Sequence, residues 1–70
     1  MWVIYENPKD HPGAFVIREW HVEPGNPDPV ASQRYALANE LRGARLAVPA
    51  GLRCIPRDEL DDPTIVEIWV

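Results

Sequence analysis

Reactive groups are scarce in this chain. Cys54 is the only cysteine, Ser32 the only serine and Lys9 the only lysine. One cysteine excludes an internal disulfide, so a small fold must hold by packing alone, and a reducing, cytoplasmic setting is expected. The lone serine has no G-x-S-x-G around it, which removes the usual esterase elbow. Four glycines stand far apart, at Gly13, Gly25, Gly43 and Gly51, so there is no glycine-rich phosphate loop. His11, His21 and Cys54 lack the paired spacing of a zinc site, so no metal and no cofactor are expected. No apolar run approaches the ~18 residues of a membrane helix. The chain starts with a strand-like segment rather than a basic leader, so no secretory signal is expected either.

Charge excludes a further class. Eleven acids against seven bases give a net charge of −4. Phosphate-backbone binding needs clustered Lys and Arg, and here the six arginines are spread along the chain. Nucleic acid is therefore an unfavoured partner. A module using Arg18, Arg34, Arg42, Arg45 and Arg53 would require those arginines to share one face.

What is present is apolar and β-prone. At 70 residues the chain reads as one domain, 1–70, of marginal size, and 46% apolar content is that of a globular protein. A homodimer would be one way to add buried area. Trp2 to Tyr5 and Thr64 to Val70 are rich in β-branched and aromatic residues, so both ends read as strands tied into a sheet. Phe15 to Val22 is a second strand with mixed faces: Phe15, Ile17, Glu19 and His21 on one, Val16, Arg18, Trp20 and Val22 on the other. Asn7-Pro8 and His11-Pro12-Gly13 make the first connection a stiff loop, and the prolines at 24, 27 and 29 make the next an exposed one.

The middle admits two readings. In one, Asp28 caps a helix that opens at Pro29 and carries a stripe of Leu37, Leu41, Ala44 and Val48. In the other, Gln33 to Ala38 is extended and Asn39 caps a shorter helix from Glu40 to Val48. Pro49 and Gly51 stop the helix in both. Leu52 to Pro56 reads as a short edge strand, with Cys54 as a buried structural thiol, and Arg57 to Pro63 as an acidic turn. In the last strand Val66, Ile68 and Val70 form the purely apolar set, chosen here as the core face. The fold class expected is α+β, a small mostly antiparallel sheet in the order β-β-(β)-α-β-β with one helix packed across one face. The first two strands form one hairpin and the last two another.

The three tryptophans are the strongest functional lead. Arg18 lies two residues from Trp20, and Glu67 two residues from Trp69, so each pair shares a strand face. Aromatics and arginine dominate protein interfaces. The competing reading is that the rings pack under the helix or the proline-rich loop. The acidic run of Asp58, Glu59, Asp61 and Asp62 has neither the spacing nor the glycine of a calcium loop, and reads as a solvated turn.

The run Val3-Ile4-Tyr5-Glu6-Asn7-Pro8, then Phe15-Val16-Ile17-Arg18 with Trp20, Leu41 with Ala44 and Arg45, and Asp61-Asp62-Pro63-Thr64-Ile65-Val66-Glu67-Ile68-Trp69 together resemble small uncharacterised proteins of bacterial and phage genomes. The resemblance runs nearly the full length. It implies an extended segment followed by a short capped helix, and it implies no activity. An acidic pair usual at the helix start is replaced by Arg42-Gly43. The expectation is a small acidic non-enzymatic module, an adaptor or inhibitor, offering a sheet face with Trp20, Trp69, Arg18 and Glu67 to a protein partner. An inhibitor of a host defence system, encoded by a phage or mobile element, is one variant of it.

Overall fold

A computed structural model describes residues 1–58 and 62–70. Five strands and one helix follow in the order β1 (Trp2–Glu6), β2 (Phe15–His21), β3 (Val30–Ala38), α1 (Leu41–Ala47), β4 (Cys54–Pro56) and β5 (Ile65–Trp69). The strands form one sheet in the order β3-β2-β1-β5-β4, with every neighbouring pair antiparallel. This is the α+β architecture expected, including the two terminal hairpins. Strand β1 lies at the centre, with Trp2 opposite Trp69 on β5 and opposite Glu19 on β2. The first and last strands therefore hold each other by ladder hydrogen bonds. No helix among the described residues is long and apolar enough to cross a membrane.

The helix lies over β2 and β3 on one face of the sheet. Ile4, Ile17 and Ala44 are fully buried there, with Phe15, Ala36, Leu41 and Val48 packed around them. Removing an isoleucine side chain from water contributes about 1.5–3 kcal/mol, so Ile4 and Ile17 anchor the two layers.

The long-helix reading of the middle is overturned. Residues from Val30 onward pair with β2 as a nine-residue strand, so Asp28 and Pro29 lie before a strand and cap nothing. The shorter reading holds, with shifted ends. The capping residue is Glu40, not Asn39, and its side chain makes no capping hydrogen bond. Leu41, Ala44 and Val48 do face the core, while Leu37 points away from it on the strand and is exposed. β4 begins at Cys54 rather than Leu52 and is an edge strand, as Pro56 requires.

Two expectations of burial are corrected. Cys54 is exposed, not buried. In β5 the side turned to the helix layer carries Glu67 and Trp69, whose partners on β1 are Ile4 and Trp2. The set chosen as core is split: Ile68 pairs with Val3 on the opposite face, Val70 is exposed, and Val66 packs inward beside the break in register between Ile4 and Tyr5. A bulge turns one extra side chain to the same side, which ends the simple alternation on which the choice rested. Of the expected acidic turn, Glu59, Leu60 and Asp61 lie outside the described residues.

Candidate functional site: the open face of the sheet

Cross-strand partners share a face, so the register assigns the side turned away from the helix. β1 gives it Val3 and Tyr5, and β2 gives it Val16, Arg18 and Trp20. Tyr35 and Leu37 join from β3, and Ile55, Ile65 and Ile68 from β4 and β5. Among the described residues no helix packs on this side. Val3 and Val16 are nevertheless only 4% and 3% exposed. The larger side chains around them, Tyr5, Arg18 and Trp20, supply the cover.

Those large groups are fixed by polar contacts. The Trp20 indole Nε1 donates to the Tyr5 hydroxyl at 3.1 Å. Burial pushes the Tyr5 phenol above its ordinary pKa, against a smaller opposing effect of the Trp20 hydrogen bond. Arg18 Nη1 donates to the Ser32 carbonyl at 3.1 Å, where β3 breaks register opposite Glu19. The same guanidinium stands 4.9 Å from the centre of the Tyr35 ring, within cation–π range. His11 stands tilted beside the same ring, with centroids 5.8 Å apart.

Two clefts open on either side of Tyr5, which lines both. The larger, about 440 Å³, is walled by Lys9, Asp10, Arg18, Asp62 and Thr64. The smaller, about 190 Å³, is almost wholly apolar, with Met1, Val3, Trp20, Pro29 and Ile68 around it. The loop that forms one wall is preset by Asn7. Its side chain accepts from the Gly13 N–H at 2.6 Å and its own N–H donates to the Ala14 carbonyl at 2.8 Å. Across the cleft, Asp62 accepts from both the N–H and the hydroxyl of Thr64, at 2.9 and 2.8 Å. Those bonds hold its carboxyl below the usual value.

The four residues singled out from the sequence are not brought together. Arg18 and Trp20 share the open face, while Trp69 and Glu67 point to the helix side. The placement makes Glu67 a packing element. It is the one buried charged residue among the described residues, 7% exposed. It accepts from Arg45 Nε at 2.9 Å, from Trp69 Nε1 at 3.0 Å and from the Cys54 thiol at 3.6 Å. The carboxyl is held below its ordinary pKa chiefly by Arg45, and desolvation of the sulfur, followed by the neighbouring carboxylate, pushes the Cys54 thiol up.

Tyr5 and Tyr35 complete the open face and were not singled out from the sequence. Tyr5 follows Val3 by two and could have been placed beside it by strand alternation. Tyr35 lay in the segment that read equally well as helix. The groups suited to chemistry stand apart: His11 against Tyr35, His21 with Nε2 2.8 Å from Glu19, and Cys54 against Glu67. Among the described residues no three His, Cys, Asp or Glu side chains gather around a common point. No family model, no curated protein and no solved structure matches this chain.

Proposed function

We propose that this chain is a small non-enzymatic protein-binding module whose docking surface is the open face of the sheet. The observation that carries the reading is the set Tyr5, Trp20, Arg18 and Tyr35. These are large aromatic and guanidinium groups, held by the Trp20–Tyr5 bond and the Arg18–Ser32 bond, on a face over which no helix packs among the described residues. Side chains of these types dominate binding energy when they are already ordered before contact. Trp69 and Glu67 belong to the packing that supports this face from behind.

The arginines favour protein over nucleic acid. Arg18 is on the open face, while Arg45 pairs with Glu67 and Arg34 lies 3.8 Å from Glu19 on the helix side. An adaptor or inhibitor acting in the cytoplasm suits the exposed free thiol of Cys54. The test is affinity capture with the wild type beside Arg18→Ala, Tyr35→Ala and Leu46→Ala, the last on the outer surface of the helix. Partners retained by wild type and Leu46→Ala, and lost by folded Arg18→Ala and Tyr35→Ala, support the reading. Equal recovery by all four ends it.

A further inference from the structure

We propose that the larger cleft beside Tyr5 is a binding site for a small zwitterion of the amino-acid class, a carboxylate and an ammonium on a short apolar body. This goes beyond the docking reading and does not depend on it. The cleft holds about 440 Å³, within the ~300–1,000 Å³ of small-molecule pockets.

Spare hydrogen-bonding capacity of both kinds lines it. A tyrosine hydroxyl both accepts and donates. Tyr5 accepts from Trp20, and its own O–H has no acceptor among the described residues. Arg18 gives Nη1 to the Ser32 carbonyl, and its other N–H groups have no oxygen acceptor among the described residues. Lys9, on the loop that forms one wall, makes no ion pair there. The opposite wall supplies the acceptor. Both Thr64 bonds end on Oδ1 of Asp62, so Oδ2 keeps its lone pairs. Arg57 donates to the Pro63 carbonyl and makes no ion pair with Asp62.

The two signs select the ligand. A simple anion in the cleft meets Asp10 and Asp62, and a simple cation meets Lys9 and Arg18. A molecule with both charges sets its carboxylate against Arg18, Lys9 and the Tyr5 hydroxyl, and its ammonium against Asp62. One charge of each sign in place is enough for this match; total charge does not enter. Pro8, Val16 and the Tyr5 ring offer apolar lining for the hydrocarbon part. Arg18 is already held by Ser32 at 3.1 Å and by the Tyr35 ring at 4.9 Å. The Asn7–Gly13 and Asp62–Thr64 bonds fix the two walls, so little ordering is left for binding to supply.

Titration of the ¹⁵N-labelled chain with the common amino acids, each up to about 10 mM or its solubility limit, tests this by NMR. At least one is expected to shift the amide resonances of Tyr5, Lys9 and Thr64. For that amino acid, N-acetylation and amidation of the carboxylate each weaken binding by ~10-fold or more. Arg18→Gln does the same, as does Asp62→Asn, which keeps the oxygen that Thr64 uses. Leu46→Ala, on the outer helix surface, leaves the affinity unchanged. Circular dichroism verifies that the variants are folded. No shift in the cleft from any amino acid overturns the proposal. So does a ligand whose capped forms bind equally well, or one indifferent to both Arg18→Gln and Asp62→Asn. A protein partner captured through Arg18 and Tyr35, from a chain that takes no amino acid, removes this site and leaves the docking face intact.

Discussion

Arg45, in the last turn of α1, and Glu67, in the middle of β5, meet across 22 residues of sequence, with Nε of the arginine 2.9 Å from Oε1 of the carboxylate. The helix packs on β2 and β3, so this contact links it to the other half of the sheet. Trp69 and Cys54 donate to the second oxygen, which leaves the carboxylate well satisfied although it is buried.

That arrangement sets an acid dependence. The Glu67 carboxyl is depressed in the folded chain, chiefly by the Arg45 hydrogen bond. A depressed carboxyl gives its stabilisation in full above the unfolded-state value, about 4.3 for glutamate, and loses it as pH falls through the folded value. Thermal unfolding between about pH 6 and pH 3 should therefore show a steeper loss for wild type than for Glu67→Gln. The variant should also be less stable at neutral pH by about 1–2 kcal/mol, a modest figure because the Arg45 side chain is half-exposed. Identical pH slopes for the two proteins would remove Glu67 as the sensitive group.

Two glycines should respond to alanine with opposite sign. Gly13 has φ of +78°, and a Cβ there would touch nothing within 4 Å. The cost of Gly13→Ala is then purely one of backbone conformation, about 1 kcal/mol. Gly43 sits inside α1, and its Cβ would reach Ala38 Cβ at 3.5 Å, an ordinary contact. Gly43→Ala should stabilise by about 0.5–1 kcal/mol through helix propensity and a less flexible unfolded chain. Urea midpoints of the two variants, measured beside wild type, check both signs.

The sheet was legible in the sequence because its signals are local. The β-branched and aromatic runs at both ends, the prolines between them and the interruption at Pro56 place β1, β2, β4 and β5 without any tertiary knowledge, while β3 stays one of two readings. The core face of β5 was not legible. Choosing Val66, Ile68 and Val70 assumes that a carboxylate avoids the interior, and Glu67 escapes that rule only through an arginine 22 residues away. The bulge at Val66 has no sequence signature either. On the open face, Arg18 and Trp20 follow from two-residue spacing on one strand. Tyr35 did not, because residues 30–38 carry helical and extended patterns at once, and pairing with β2 decides between them.

Ile17 is fully buried between β1, β3 and the helix. Its truncation to alanine should cost about 2–5 kcal/mol. A chain of this size holds only roughly 4–10 kcal/mol in total, so Ile17→Ala should be largely unfolded in mild denaturant. Ile17→Val should lose only about 1 kcal/mol. Leu46→Ala, at a side chain 81% exposed, should stay within about 0.5 kcal/mol of wild type. A small effect at Ile17 would show that the helix is not seated on the sheet there.

Tyr5 separates the two clefts and takes the Trp20 indole proton, so Tyr5→Phe tests how firmly the open face is held. The substitution keeps the ring and leaves the Trp20 N–H without its acceptor, at a cost of about 1 kcal/mol. It should also blunt the alkaline limb of stability. The Tyr5 phenol is raised in the folded chain, mainly by burial. Its neutral form is thus favoured by folding; the contribution is complete below the unfolded-state value near 10 and declines as pH rises through the folded value. Wild type should lose more stability than Tyr5→Phe between about pH 9 and pH 11, followed by thermal melts. The Trp20 near-ultraviolet dichroism should weaken in the variant even at neutral pH, because the ring is no longer pinned across the open face of the sheet. An unchanged Trp20 signal would mean that strand packing, and not the hydroxyl, orients the indole.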